Sequence, residues 1–212
     1  MKKTIGICSA NIQRSGTFEA VLDYERQAQR LDDLMISSAG INVETILANT
    51  APLKIQLNIL IAGLYYGLVR DEIRNAVRSI VEHGYDQEHT DQIRDLYAEI
   101  RPLVHGVCLA FRNQALQEAG ITNFPLPYSR FDPKQNYGLI LPMDLKDTEK
   151  ILLRYKGLDL QKPKVVSYGR FVGIDDLVDD VVGGLAGARK TVQYFMDTRK
   201  TAIQKMIESF SK

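Results

Sequence analysis

Apolar positions along the chain change rhythm three times. Ile5 and Ile7 sit in a short apolar run before Cys8, which predicts a strand, and Phe18, Val21, Leu22 and Leu31 then mark one side of a helix. Residues 35–40 form a second apolar run ending in small residues, so the first 40 residues read as a βαβ unit, the seed of a parallel sheet. From about 49 to 111 the spacing turns helical: Ile73, Val77, Ile80 and Val81 make one stripe, and Ile93, Leu96 and Ile100 another. Here His83-Gly84 predicts a helix end, and Pro102 is expected to break or restart a later helix. After Gly120 the α/β rhythm resumes. Residues 123–133 carry three prolines and form a loop; 137–143 is a buried strand with Asp144 at its C-terminal end. A helix over 147–154, a short strand at 164–166 and a long helix from about 185 to 210 follow, the last burying Leu185, Val192, Phe195, Met196, Ile203, Met206, Ile207 and Phe210. The expected fold is α/β, a doubly wound parallel four-stranded sheet made of residues 1–47 and 116–212, carrying an inserted all-helical subdomain over 48–115.

Composition narrows the partners. A net charge of +1 provides no long-range field for nucleic acid or an anionic membrane, so any anion must be gripped locally. The most apolar stretch, 53–69, holds Lys54, Gln56 and Asn58 and reads as a buried helix, not a membrane span. Two cysteines, Cys8 and Cys108, make no disulfide framework, and no secretory leader is recognised, so a cytoplasmic protein is expected. His83, His89 and His105 have no ligand spacing with cysteines or carboxylates, and neither a metal nor an organic cofactor is expected. Residues 184–191 nearly match a nucleotide-binding loop, but Arg189 replaces the glycine before Lys190; Gly183 and Gly187 are read instead as close-packing positions.

Candidate chemistry gathers where the first strand ends. Cys8-Ser9-Ala10-Asn11-Ile12-Gln13-Arg14-Ser15 places a cysteine at a strand end, an arginine six residues on, and a helix start beyond. Loop amides and a helix dipole converge there on an anion, which favours the thiolate, the nucleophilic form of Cys8. Arg14 presents a planar fork suited to two phosphate oxygens. The amides of residues 9 to 14 reach the equatorial oxygens, Ser15 donates to the thiolate, and Asn11 suits a left-handed loop position. An aspartic acid is also needed to protonate the leaving oxygen.

This loop, followed by Glu19-Ala20-Val21, resembles the C-x-G-N-x-C-R-S signature of low-molecular-weight protein tyrosine phosphatases. Ser38-Ala39-Gly40, Gln117-Glu118-Ala119-Gly120-Ile121 and the strand ending in Met143-Asp144 are similar to later segments of that family, in the same order. The resemblance covers about two-thirds of the chain and skips the helical block. It implies hydrolysis of a phosphomonoester, phosphotyrosine-type or small-molecule, through a Cys8 thiophosphate, with a late aspartate as general acid. Asp180 takes that place, with Asp179 and then Asp176 as alternatives. Three positions depart from the pattern. Gln13 replaces a second cysteine, Gly16 replaces a proline, and Val181-Val182 replace the aromatic pair that walls the family's pocket.

Other readings stand beside these. Asp144 either serves the site or caps the next helix, and Cys108 reads as core. The helical block suits a lid or substrate-selecting wall, or else a surface for homo-oligomer formation. An arsenate-reducing enzyme and a catalytically weak phosphate- or phosphoprotein-binding module are the rival functions.

Overall fold

The structure, a computed structural model of the chain, describes residues 2–83, 89–144, 151, 153, 163–177 and 183–211. Four parallel strands form the sheet: β1 (Lys2–Cys8), β2 (Leu34–Gly40), β3 (Leu139–Pro142) and β4 (Lys164–Val165). Their order is β2-β1-β3-β4, so β1 lies centrally. The register pairs Cys8 with Gly40 and Ile7 with Pro142, which brings the C-terminal ends of β1, β2 and β3 to one edge.

Alternation along β1 divides the core between the two sheet faces. Ile5 and Ile7 pack with Ile41, Phe131, Tyr137 and Ile140. On the other face, Cys8 belongs to a cluster with Phe18 and Leu22 of α1 (Arg14–Ala28) and with Val192, Phe195 and Met206 of the long C-terminal helix. Gly6 admits the Phe18 ring, since a Cβ there would lie 2.3 Å from Phe18 Cδ1. That ring meets Tyr168 and Phe195 edge-on, and it anchors α1 directly beneath the strand that carries Cys8.

Between β2 and β3 run α2 (Val43–Leu47), α3 (Leu53–Tyr65), α4 (Asp71–His83) and α5 (His89–Glu118). Their core joins Ile46, Ile59, Leu60, Val77, Ile93, Tyr97, Ile100, Val104 and Cys108, and Ile12 of the cysteine loop plugs into it. Pro102 does not break the helix: α5 runs through it for 30 residues. Pro102 lies on the exposed face while Ile100 and Val104 on either side are buried. Solvent can meet the backbone group that proline leaves unpaired, and packing holds the turn. The boundary expected at 115/116 falls inside α5, whose Ala115 and Leu116 are part of the sheet-side core.

Two further helices among the described residues are α6 (Tyr168–Val172) and α7 (Gly184–Ser209). Val192, Phe195, Ile203 and Met206 of α7 are buried as expected, whereas Ile207 is 36% exposed. The strand expected over 137–143 is limited to four residues. The helix expected over 147–154 lies almost wholly outside the described residues. Among the described residues, no helix is long and apolar enough to cross a membrane.

Candidate active site

Cys8 ends β1 and Arg14 opens α1, so the five residues between them must turn the chain from strand to helix. Asn11 takes the tightest part of that turn at φ +56°, in the left-handed region that asparagine tolerates better than most residues. Two contacts hold it: its Nδ2 donates to the Leu126 carbonyl at 3.3 Å, and its Oδ1 accepts from Ser15 Oγ at 2.8 Å. Its backbone amide is thereby aimed at Cys8 Sγ, 3.3 Å away. At the front of the loop, Asn42 donates through its side chain to Ser9 Oγ and through its backbone to the Ser9 carbonyl, both at 2.9 Å.

Ser15 Oγ lies 3.0 Å from Cys8 Sγ, 2.8 Å from Asn11 Oδ1 and 3.3 Å from the Ala39 carbonyl. One hydroxyl proton serves these acceptors in turn. With a neutral thiol, Cys8 can donate to Ser15, which donates to Asn11; with a thiolate, Ser15 turns its proton to sulfur. This network is a device for holding either protonation state of a buried sulfur, Cys8 being 5% exposed.

Among the described residues, the backbone amides of Ser9, Ala10, Ile12 and Gln13 meet no protein acceptor. Gln13 caps α1 without a side-chain bond, so the first amides of the helix add to the same region of positive potential. Cys8, Ser9, Ala10, Ile12, Gln13 and Arg14 together line a cavity of about 110 Å³. Cys8 and Arg14 thus border one small concavity.

Arg14 is buried, with Nη1 at 3.0 Å from Asp144 Oδ2. The pairing comes from topology: β3 lies beside β1, so Asp144, two residues beyond β3, reaches the loop that follows Cys8. Of the two roles the sequence leaves open to Asp144, the structure shows it beside Arg14 of the cysteine loop; its position at a strand's C-terminal end is the indication.

The candidate acids separate. Asp176 accepts a hydrogen bond from the Gly169 amide at 3.0 Å, in the first turn of α6, and is not among the cavity-lining residues. Asp179 and Asp180 lie outside the described residues, as do Val181 and Val182.

The wall facing the loop comes from the helices between β2 and β3. Ile46 of α2, Ile55, Asn58 and Ile59 of α3, and His105 and Cys108 of α5 line it. Both cysteines of the chain therefore border one cavity. His105 Nδ1 lies 2.6 Å from the Tyr128 hydroxyl. Burial, helped by the charge of Arg101, pulls its imidazole down to about 3, so it is neutral at physiological pH. Sequence reasoning placed His105 and Cys108 in ordinary roles, because helical periodicity does not say what a helix faces.

Behind the loop lies Arg112 of α5, among the largest fully buried side chains. Its Nη1 donates to the Ile12 carbonyl and its Nη2 to the Pro125 carbonyl, each at 2.9 Å. Burial lowers its guanidinium to about 10, opposed by attraction to Glu19 and Cys8, and it stays charged at neutral pH. Glu19 in turn is held above the usual carboxylate range by burial, while accepting from Ser38 Oγ at 2.5 Å.

No protein-family model matches the sequence, and no curated protein matches it. Solved structures do. A product-state mimic of the protein tyrosine phosphatase from Entamoeba histolytica is 15% identical, with a TM-score of 0.58 over 98% of this chain and 97% of that one. The low-molecular-weight protein tyrosine phosphatase from T. tengcongensis is 15% identical, with a TM-score of 0.55 over 97% and 99%. The YwlE arginine phosphatase from Geobacillus stearothermophilus is 13% identical, with a TM-score of 0.55 over 100% and 97%. At these identities the likeness establishes a shared fold: the chain is built as a low-molecular-weight protein tyrosine phosphatase is.

Proposed function

We propose that this chain is a cysteine-dependent phosphatase that hydrolyses a phosphomonoester in the cavity between the residue 8–15 loop and the α3–α5 wall. The observation that carries the reading is the convergence of Cys8, Arg14 and the acceptor-less amides of Ser9, Ala10, Ile12 and Gln13 on one small concavity. In this reading the Cys8 thiolate attacks phosphorus, the P–O bond to the leaving group breaks, and an aspartic acid protonates the departing oxygen. Water then attacks the thiophosphate, losing its proton to the same aspartate, and phosphate leaves with Cys8 restored as thiolate. Arg14, oriented by Asp144, and the loop amides carry the charge that gathers on the equatorial oxygens. Ser15 supplies its hydroxyl proton to the thiolate, and Asn11 keeps the loop in its turned form. Asp180 is assigned as the acid from the resemblance, with Asp179 next. Asp176, occupied with the Gly169 amide, is third.

Ile46, Ile55, Asn58, Ile59 and His105 would meet the leaving group, making the helical block a substrate-selecting wall. A phosphorylated protein or small molecule is the partner in this reading. The test is Cys8→Ser with a small aryl phosphate: turnover should vanish while binding of phosphate or vanadate stays measurable. Turnover equal to the parent protein's would reject the mechanism.

The presence of Cys108 in the same cavity favours a second reading, arsenate reduction. Arsenate would condense on Cys8, and attack by Cys108 on that sulfur would release arsenite and leave a Cys8–Cys108 disulfide, two electrons passing from the thiols to arsenic. Arsenate-dependent loss of two thiols per chain would decide for it. Micromolar binding of phosphate esters without hydrolysis would instead point to a binding module.

A further inference from the structure

An arginine whose three guanidinium nitrogens all bond protein oxygens is unusual so close to an anion site, and Arg112 is not among the residues lining the cavity. Its fork bridges two backbone carbonyls from segments far apart in sequence, Ile12 in the cysteine loop and Pro125 in the loop before β3, at 2.9 Å each. Its Nε and Nη2 meet Asn113 Oδ1 at 3.1 and 3.0 Å, so Asn113 fixes the fork from its own helix. Pro125 immediately precedes Leu126, whose carbonyl receives Asn11 Nδ2. Arg112 therefore holds the residue that follows the left-handed turn and the residue that precedes one of its supports, Leu126. Space for it comes from Gly16 in the first turn of α1, where a Cβ would lie 2.4 Å from Arg112 Nη1. Gly16 stands where the resembled family has proline, and the guanidinium occupies what a side chain there would fill.

We propose that Arg112 is a positioning residue for the anion site. By drawing the Ile12 carbonyl toward the back of the loop it keeps the loop amides on the cavity side, and Gly16 is the matching vacancy that admits it. A peptide unit has one orientation, so a carbonyl held behind the loop commits the Gln13 amide of the same peptide to the opposite side. Lysine cannot reproduce the grip, because a single ammonium lacks the planar fork that spans two carbonyls. The inference rests on the anion-binding reading of the Cys8 loop. Glu19 of α1 and Cys8 at the end of β1 are the titratable groups that act on the Arg112 guanidinium.

The test measures inorganic phosphate binding by calorimetry, at a temperature where each protein is fully folded by circular dichroism. Arg112→Met should weaken phosphate by roughly ten-fold or more, the scale of losing hydrogen bonds from a charged donor. Arg112→Lys should restore only part of that loss. Gly16→Ala leaves Arg112 and residues 8–15 unaltered in sequence, yet its Cβ should weaken phosphate several-fold by displacing the guanidinium, and it should have no further effect on top of Arg112→Met. Because alanine favours helix over glycine, this variant keeps the test alive if Arg112→Met fails to fold. Unchanged phosphate affinity in Gly16→Ala, additive losses in the double variant, or full restoration by Arg112→Lys would each overturn the proposal. If the parent protein binds no phosphate, the anion-site reading fails first and this one falls with it; if the parent binds and the variants bind equally, only this one fails.

Discussion

Ser15→Ala isolates what the hydroxyl network contributes to the reactivity of Cys8. Ser15 is fully buried and touches three acceptors, Cys8 Sγ at 3.0 Å, Asn11 Oδ1 at 2.8 Å and the Ala39 carbonyl at 3.3 Å. Alanine removes one donor from the sulfur. A hydrogen bond to a charged group is worth about 1.5–3 kcal/mol, which corresponds to a roughly ten- to hundred-fold lower population of thiolate wherever thiol and thiolate are both present. The assay is the rate of iodoacetamide alkylation of Cys8 across pH, in a Cys108→Ala background so that one thiol is read. At pH 6 the variant should react at least ten-fold more slowly. The gap between the two rates should narrow as pH rises. Folding stability should also fall by about 1–3 kcal/mol, since Asn11 Oδ1 loses its donor at a strained position. Equal alkylation rates at pH 6, with the stability loss intact, would show that Ser15 supports the loop and leaves the sulfur's charge alone.

Three further outcomes are expected, two from the geometry and one, at Asp180, from the resemblance. Asp144→Asn keeps the shape but removes the charge paired with Arg14; since the pair is one-third exposed on the aspartate side, kcat/KM for an aryl phosphate should drop about ten-fold with little change in melting temperature, and an unchanged rate would remove Asp144 from the site. Asp180→Asn should slow turnover by a hundred-fold or more, and a normal rate alongside an impaired Asp179→Asn moves the acid by one residue. His105, neutral in the fold because burial holds it at about 3 against about 6.5 when unfolded, has a folded pKa below its unfolded one. Its contribution is therefore present above pH 6.5 and is lost as pH falls toward 3. Urea unfolding at pH 6.5 and 5.0 should show about 1–2 kcal/mol of loss that His105→Gln lacks; equal losses in both proteins would place the acid sensitivity elsewhere.

What could be read along the chain was local in sequence. The strand, turn and helix around Cys8 run from Lys2 to Ala28 without interruption, and each step leaves its own mark: alternation, then Asn11, then an apolar helical face. What could not be read depends on approach across distance. Asp144 meets Arg14 because β3 was laid beside β1, an arrangement that apolar strand runs leave open. His105 and Cys108 sit one turn apart on a face whose opposite wall is the cysteine loop, and periodicity identifies that face without naming its neighbour. Arg112 defies the usual rule more directly. A charged residue in an amphipathic pattern is read as solvent-facing, and only the two carbonyls at its tip explain a burial of 1% exposure. Pro102 misled for a related reason, since its cost depends on whether water can reach the neighbouring carbonyl.

The uninterrupted course of α5 has a practical side. Its outer half fills one core and its last turns fill the other, with Arg112 near the seam. Anyone trimming this protein to a smaller sheet-only scaffold would have to sever a helix in mid-course, and the excised piece would carry away the rivet behind the cysteine loop. Such a minimised scaffold should therefore be rebuilt at position 16 as well, where a larger residue could take over the room left behind.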